Sequence, residues 1–316
     1  MNSWLLASSG LIILLLAGDL LVKGAVNLSI RFGVPALIVS LTIVAFGTSA
    51  PELLIAVNAI LDAAPGLALG NVVGSNIANI MLVLGVPALI STLPPSTSDS
   101  RKTYVFMLIA TCLFIGLAFR GYFDILSGVI LLLALVCVLA DALRDARSHN
   151  KVKNNQRLTS GTSEIDTNMS ALRLTAALAF GLIGLPIGAS LLVDNARVIA
   201  ADYGLSDTII GLTLVAVGTS LPELATTMMA AIRRHADVAL GNIIGSNMFN
   251  LLAITGIAVF FGNIPVDLEF LRLDLWVMLG VSLALIPFVF WRQPVSRLWG
   301  LVLTTAYVGY IFVILS

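Results

Sequence analysis

Apolar stretches close to twenty residues long recur from one end of the chain to the other, separated by clusters of polar residues, glycine and proline. Their limits are 3–23, 34–61, 67–92, 103–119, 125–142, 171–193, 206–232, 238–261, 274–291 and 298–315. Each can cross a hydrocarbon core as a helix, which rises about 1.5 Å per residue. The pattern therefore predicts an all-α membrane protein with ten transmembrane helices. The first stretch reads as a helix and not a cleaved leader, because it lacks a basic start and a small-residue cleavage site. The only sizeable polar stretch, 143–170, is too polar to form a core and reads as a linker. It joins a first unit, 1–142, to a second, 171–316.

Residues 41–85 align without a gap to 212–256, an offset of 171, with 20 of the 45 positions identical. GTSAPEL at 47–53 returns as GTSLPEL at 218–224, and LALGNVVGSNIAN at 67–79 returns as VALGNIIGSNMFN at 238–250. Each unit holds five spans, an odd number, so the second must enter the membrane from the opposite side. Two inverted five-helix repeats, with broken helices at a central site near the midplane, are the expected architecture, and alternating access the expected mechanism.

Composition agrees. The chain is 59% hydrophobic and 11% charged, where a soluble protein is about a quarter charged, and its mean hydropathy is +1.03. Seventeen Lys and Arg balance seventeen Asp and Glu, so nothing points to nucleic acid. With the N- and C-termini outside, only Arg120, Arg197 and Arg272 fall on the outer side. The other fourteen of the seventeen basic residues are then cytoplasmic, as the positive-inside rule requires. Cys112 and Cys137 lie in different spans and read as buried thiols with no disulfide framework.

Most acids fall in loops or at span ends; three sit within spans: Asp19, Glu52 and Glu223. A charge at the centre of a membrane helix costs about 2.5–3.5 kcal/mol on insertion scales, which calls for a function. Glu52 and Glu223 occupy equivalent positions, and inversion would bring them to one central point. Pro51 and Pro222 lack an N–H and should clash with the carbonyls of Gly47 and Gly218, freeing backbone oxygens around Thr48 and Thr219. Ser49 and Ser220 lie beside each break. Asn71, Ser75 and Asn79 share one helix face, as do Asn242, Ser246 and Asn250. Carboxylates, hydroxyls and carbonyls form an all-oxygen set suited to a hard cation such as Ca²⁺, with no His or Cys nearby to favour a softer metal.

These paired motifs resemble the two repeats of the cation/calcium exchanger superfamily, and prokaryotic sodium/calcium exchangers in particular, across essentially the whole chain. The resemblance implies that Glu52 and Glu223 bind Ca²⁺ in competition with Na⁺, with Thr48 and Thr219 contributing carbonyls. It implies sodium sites completed by Ser49, Ser75, Ser220 and Ser246, and a centre lined by Asn79 and Asn250. Some members carry Asp at one or both of the last two positions. This chain has Asn at both, so two central carboxylates would balance one Ca²⁺ or two Na⁺.

The expected function is thus an antiporter, not an enzyme, that expels Ca²⁺ on an inward Na⁺ gradient, in a prokaryotic inner membrane. It needs no cofactor, takes Ca²⁺, Na⁺ and the lipid bilayer as partners, and works as a monomer. H⁺/Ca²⁺ exchange and a cation channel with an acidic constriction are the alternatives. Blander readings attach to other features. Asp19 should pair with Lys23 one turn on. Gly70/Gly74 and Gly241/Gly245 read as helix-packing surfaces. Trp291 and Trp299 read as interfacial anchors, and Arg233, Arg234 and His235 as a cytoplasmic turn set by topology alone.

Overall fold

A computed structural model describes residues 2–156, 169–203, 216–268 and 270–315. Among the described residues the regular structure is helical apart from one two-stranded ladder and an isolated bridge. In chain order the helices are α1 (Ser3–Phe32), α2 (Ala36–Thr48), α3 (Ala50–Leu61), α4 (Pro65–Ile90), α5 (Arg101–Ala118) and α6 (Ile125–Gln156). They continue as α7 (Ala171–Asp202), α8 (Ala216–Thr219), α9 (Leu221–Ile232), α10 (Ala236–Ala258), α11 (Phe270–Phe290) and α12 (Arg297–Leu315). Among the described residues eight are long and apolar enough to cross a membrane, and α2 with α3 forms a ninth span bent by 40°. The start of the span expected over 206–232 lies outside the described residues.

Helix ends follow capping chemistry, not hydropathy. The first helix runs nine residues beyond the expected Val/Lys boundary at 23, because Lys23 is paired by Asp19 and Asn27 bonds back to the Lys23 carbonyl at 2.9 Å. It stops at Gly33, whose φ of 67° suits a left-handed cap that glycine adopts without strain. At the other end Asn2 accepts from the Trp4 amide. The helix expected over 171–193 likewise extends to Asp202. The stretch read as a linker begins as helix, α6 continuing to Gln156; residues 157–168 lie outside the described residues.

The two motif-bearing helices occupy the centre. The apolar stretch of α10 is buried throughout and most of that of α4 is buried, whereas α12 and α6 expose most of theirs to the bilayer. An antiparallel pair, α1 and α7, packs at one flank. A Cβ on Gly10 would lie 2.6 Å from the Leu192 nitrogen, and one on Gly188 2.7 Å from the Leu14 nitrogen, so only glycine permits this approach. Gly241 and Gly245 admit α2 in the same way, with the carbonyls of Leu37 and Leu41 against them. Gly70 and Gly74 meet no close neighbour among the described residues.

Backbone irregularities recur at the sequence offset. Positive φ occurs at Ala63 and Arg234, and again at Gly121 and Arg292, each pair 171 positions apart. Strand β1 (Tyr122–Phe123) pairs antiparallel with β2 (Ile264–Pro265), while Leu93, the position equivalent to Ile264, bridges to Val295. Two expectations are corrected here. Cys112 and Cys137 are exposed on the helix surface rather than buried, because each falls on the face of its helix turned away from the bundle. Trp291 is exposed, but Trp299 is half-buried, its ring 5.4 Å from that of Phe288 in an edge-on contact.

Candidate cation site

Helix α2 ends at Ser49, with φ −86° and ψ 4°, and α8 ends at Ser220, with φ −87° and ψ 5°. The break in each half is therefore at the serine, two residues later than the expected clash at Gly47 and Gly218. Pro51 and Pro222 do not kink a continuous helix. Each takes the second position of the helix that follows, where a missing N–H is an orphan in any case. This places Glu52 and Glu223 in the first turns of α3 and α9. Amides there lack intrahelical partners and the helix dipole favours negative charge.

Both carboxylates are removed from solvent, Glu52 at 1% exposure and Glu223 at 0%, and the charge of Glu223 acts on Glu52. The breaks are held by equivalent asparagines. Asn71 Nδ2 donates to the Glu52 carbonyl at 3.2 Å, and Asn242 Nδ2 to the Glu223 carbonyl at 3.4 Å. These two side chains pin half-helices to α4 and α10; they are scaffolding. Thr48 Oγ1 contacts Asn242 Oδ1 and Ser246 Oγ, both at 3.4 Å, and Ser49 Oγ donates to Glu223 Oε1 at 3.2 Å. Thr48, Ser49, Glu223 and Ser246 are thus gathered together. Ser75 is buried on α4, and Thr219 is half-buried, facing a cavity.

Among the described residues several polar atoms remain without a partner although buried. They are both Glu52 oxygens, Glu223 Oε2, Asn79 Oδ1, Ser220 Oγ, both side-chain atoms of Asn250, and Thr304 Oγ1. All but the last belong to residues singled out by the motifs. An unpaired buried polar group costs about 1–3 kcal/mol, and more when charged, so such a cluster calls for water, protons or an ion to satisfy it. The set is dominated by oxygen, and among the described residues no group of three or more His, Cys, Asp or Glu forms a conventional metal cage. A wide π turn over Phe249–Ile254 carries Asn250, a device that re-aims a side chain at functional sites.

A cavity of about 190 Å³ runs from Asp194 and Arg197 on α7 to Pro51, Thr219 and Pro222 at the two breaks, next in sequence to Glu52, Ser220 and Glu223. The motifs did not flag Asn76 and Asn247, also buried and also 171 apart, which join the network: Asn79 Nδ2 donates to Asn247 Oδ1 at 3.1 Å. Their duplication within the GSN triplets was the available signal. Asp19 pairs with Lys23 at 2.8 Å as expected, and with Arg233 as well, a partner the turn's sequence did not announce.

Comparison with known proteins gives a consistent result. A family model described as sodium/calcium exchanger protein matches residues 2–143 and 173–316. The sodium/calcium exchanger MaX1 of Methanosarcina acetivorans is 32% identical, over 99% of this chain and 98% of its own. The inner membrane protein YrbG of Escherichia coli is 32% identical, over 95% of this chain and 92% of its own. A solved structure of the sodium-calcium exchanger NCX_Mj, soaked with Na⁺ and Sr²⁺, superposes with a TM-score of 0.83 at 31% identity, covering all of this chain and 98% of that one.

Proposed function

The chain belongs to the sodium/calcium exchanger protein family, as an integral multi-pass membrane transporter and not an enzyme, and on that premise we propose that it exchanges Na⁺ for Ca²⁺ by alternating access. An inward Na⁺ gradient drives Ca²⁺ out. The observation that carries this reading is the coincidence of the unpaired buried atoms with Glu52, Glu223, Asn79, Asn250 and Ser220. Hard oxygen donors without protein partners suit Ca²⁺ or Na⁺. Glu52 and Glu223 hold Ca²⁺ with backbone oxygens of Thr48 and Thr219; Ser49, Ser75, Ser220 and Ser246 complete the sodium positions, and Asn79 and Asn250 line the centre. Two carboxylates balance one Ca²⁺ or two Na⁺.

The proposed architecture is ten spans in two inverted five-helix repeats, 1–142 and 171–316, with 143–170 cytoplasmic and both termini outside. The pairing of backbone irregularities at an offset of 171 supports it. So does the Leu93–Val295 bridge, whose equivalent positions, 264 and 124, fall within one residue of the Phe123–Ile264 pair. One chain suffices, because both carboxylates and every candidate ligand come from it.

Calcium uptake into vesicles with an imposed Na⁺ gradient tests the reading. Uptake should follow the size and direction of that gradient. Equal uptake with choline in place of Na⁺ would sink sodium coupling, and uptake that instead follows an imposed pH gradient would make the chain an H⁺/Ca²⁺ exchanger. Flux that runs on down its gradient with no counter-ion would point to a channel.

A further inference from the structure

The two central amides, Asn79 and Asn250, occupy equivalent positions but are held differently. Asn79 Nδ2 donates to Asn247 Oδ1 at 3.1 Å, which leaves Asn79 Oδ1 buried and unpaired. Asn247 is itself oriented, because its Nδ2 donates to the backbone carbonyl of Asn76 at 3.4 Å. A carboxamide has one donor end and one acceptor end. A backbone carbonyl can only accept, so it demands the NH₂ of Asn247 and turns that oxygen toward Asn79. Asn247 Oδ1 in turn demands the NH₂ of Asn79 and turns the Asn79 oxygen away from it. A flip of either amide would set oxygen against oxygen at a site with 1% exposure, where no water relieves the repulsion.

The equivalent relay is missing on the other side. Asn76 stands where Asn247 stands in the second half, but its Nδ2 bonds back to the Val72 carbonyl at 2.7 Å, within its own helix. Asn250 consequently has neither side-chain atom paired.

From this asymmetry we infer that Asn247 is a positioning residue that fixes the Asn79 carboxamide with its oxygen presented to the transported cation. Asn79 is then a standing oxygen ligand, while Asn250 is free to turn. Asn247 never touches the ion; it sets which end of Asn79 does. Second-sphere partners of this kind are worth about 10- to 100-fold in metal affinity. The inference rests on the exchange reading, since it needs a cation at the Glu52–Glu223 site.

The test is a double-mutant cycle on the full-length purified protein, with Ca²⁺ itself as probe and thermal stabilisation as a function of Ca²⁺ concentration as the readout. Asn247→Leu, which removes the acceptor, should weaken apparent Ca²⁺ affinity by about 10-fold or more. In an Asn79→Ala background the same substitution should change affinity by no more than about twofold, because the residue it acts through is gone. Equal losses in both backgrounds would overturn the inference. If Asn247→Leu does not fold, Asn247→Ala runs the same cycle. A wild-type protein that neither Ca²⁺ nor Na⁺ stabilises saturably would instead remove the exchange reading beneath it.

Discussion

The two ends of the bundle are built from equivalent positions and are tied in opposite ways. At the end where α9 terminates, side chains cross from one half to the other. Asp19 on α1 is bonded by Arg233 at the end of α9. Asp237 at the start of α10 accepts from the Thr97 amide at 2.9 Å and from Ser96 and Ser98. Gly18 lets α1 approach so closely that a Cβ there would sit 3.0 Å from the backbone of Ala225. At the opposite end the equivalents of Gly18, Asp19 and Lys23 are Ala189, Ser190 and Asp194, and Arg233 is matched by Asp62. Ser190 bonds Asp194 within α7 at 2.9 Å, and Arg120 pairs with Asp124 within the first half. Here a cavity separates α7 from α3, and Leu54, the equivalent of the 2%-exposed Ala225, is 64% exposed. One fold thus has a latched end and an open end, and the difference lies in a handful of side chains.

Both ends serve one centre, so the largest effects should come from there. On the proposed exchange, Glu52→Gln and Glu223→Gln should each reduce Na⁺-driven Ca²⁺ uptake by more than about 100-fold, since each would remove half of the charge proposed to balance the cation. The variants should still fold, because a neutral amide is less costly to bury than an unpaired carboxylate. Uptake that survives in one of them would mean that the two halves are unequal at the site itself and not only at the ends.

What the sequence made legible divides along physical lines. Glu52 and Glu223, with the serines and asparagines around them, were readable because a carboxylate in an apolar span is costly and a duplicated one is costlier to explain away. Helix centres were readable from hydropathy; the ends were not. Phe32 closes α1 because Gly33 can take a left-handed cap, and nothing in mean hydropathy reports φ. The proline told correctly of a break but not its place, since Pro51 starts the next helix and Ser49 ends the last. Arg233 read as a topology signal because its partner Asp19 lies 214 positions away. Asn247 was hidden for a related reason: its role depends on which amide end faces which neighbour, a property of packing and not of spacing.

The latch itself gives a smaller, sharper prediction. An ion pair that is only partly buried is worth up to about 1 kcal/mol, or about fivefold in a two-state population. In a background with Cys112→Ser and Cys137→Ser, a single cysteine at Thr226, buried beside Gly18, should react with a maleimide about fivefold faster when Arg233→Gln is added. The charge swap Asp19→Arg with Arg233→Asp should recover part of the protection. Unchanged labelling would mean that close packing at Gly18 and Ala225, not the ion pair, holds this end shut. Grafting the latch onto the open end, with Ser190→Asp, Asp194→Lys and Asp62→Arg, should slow labelling of a cysteine at Ala189, which lines the cavity.

The smallest effect is expected where a tie stays within one half. Asp124, in the loop before α6, accepts from the Ser127 amide at 2.9 Å and its hydroxyl at 2.8 Å, and pairs with Arg120 at 3.1 Å. The Ser127 amide first, then Arg120, hold its carboxyl well below the usual carboxylate range. A depressed pKa stabilises the folded state fully above the unfolded value, near 4 for Asp, and that contribution is lost as pH falls from there through the folded value. Asp124→Asn keeps the shape of the cap but cannot titrate. Its melting temperature should therefore trail the wild type by a small constant gap from pH 8 to 5, and the gap should begin to narrow below about pH 4 and go on narrowing as pH falls further. A gap that does not narrow at all below about pH 4 would show that the ionisation of Asp124 contributes nothing to holding this end.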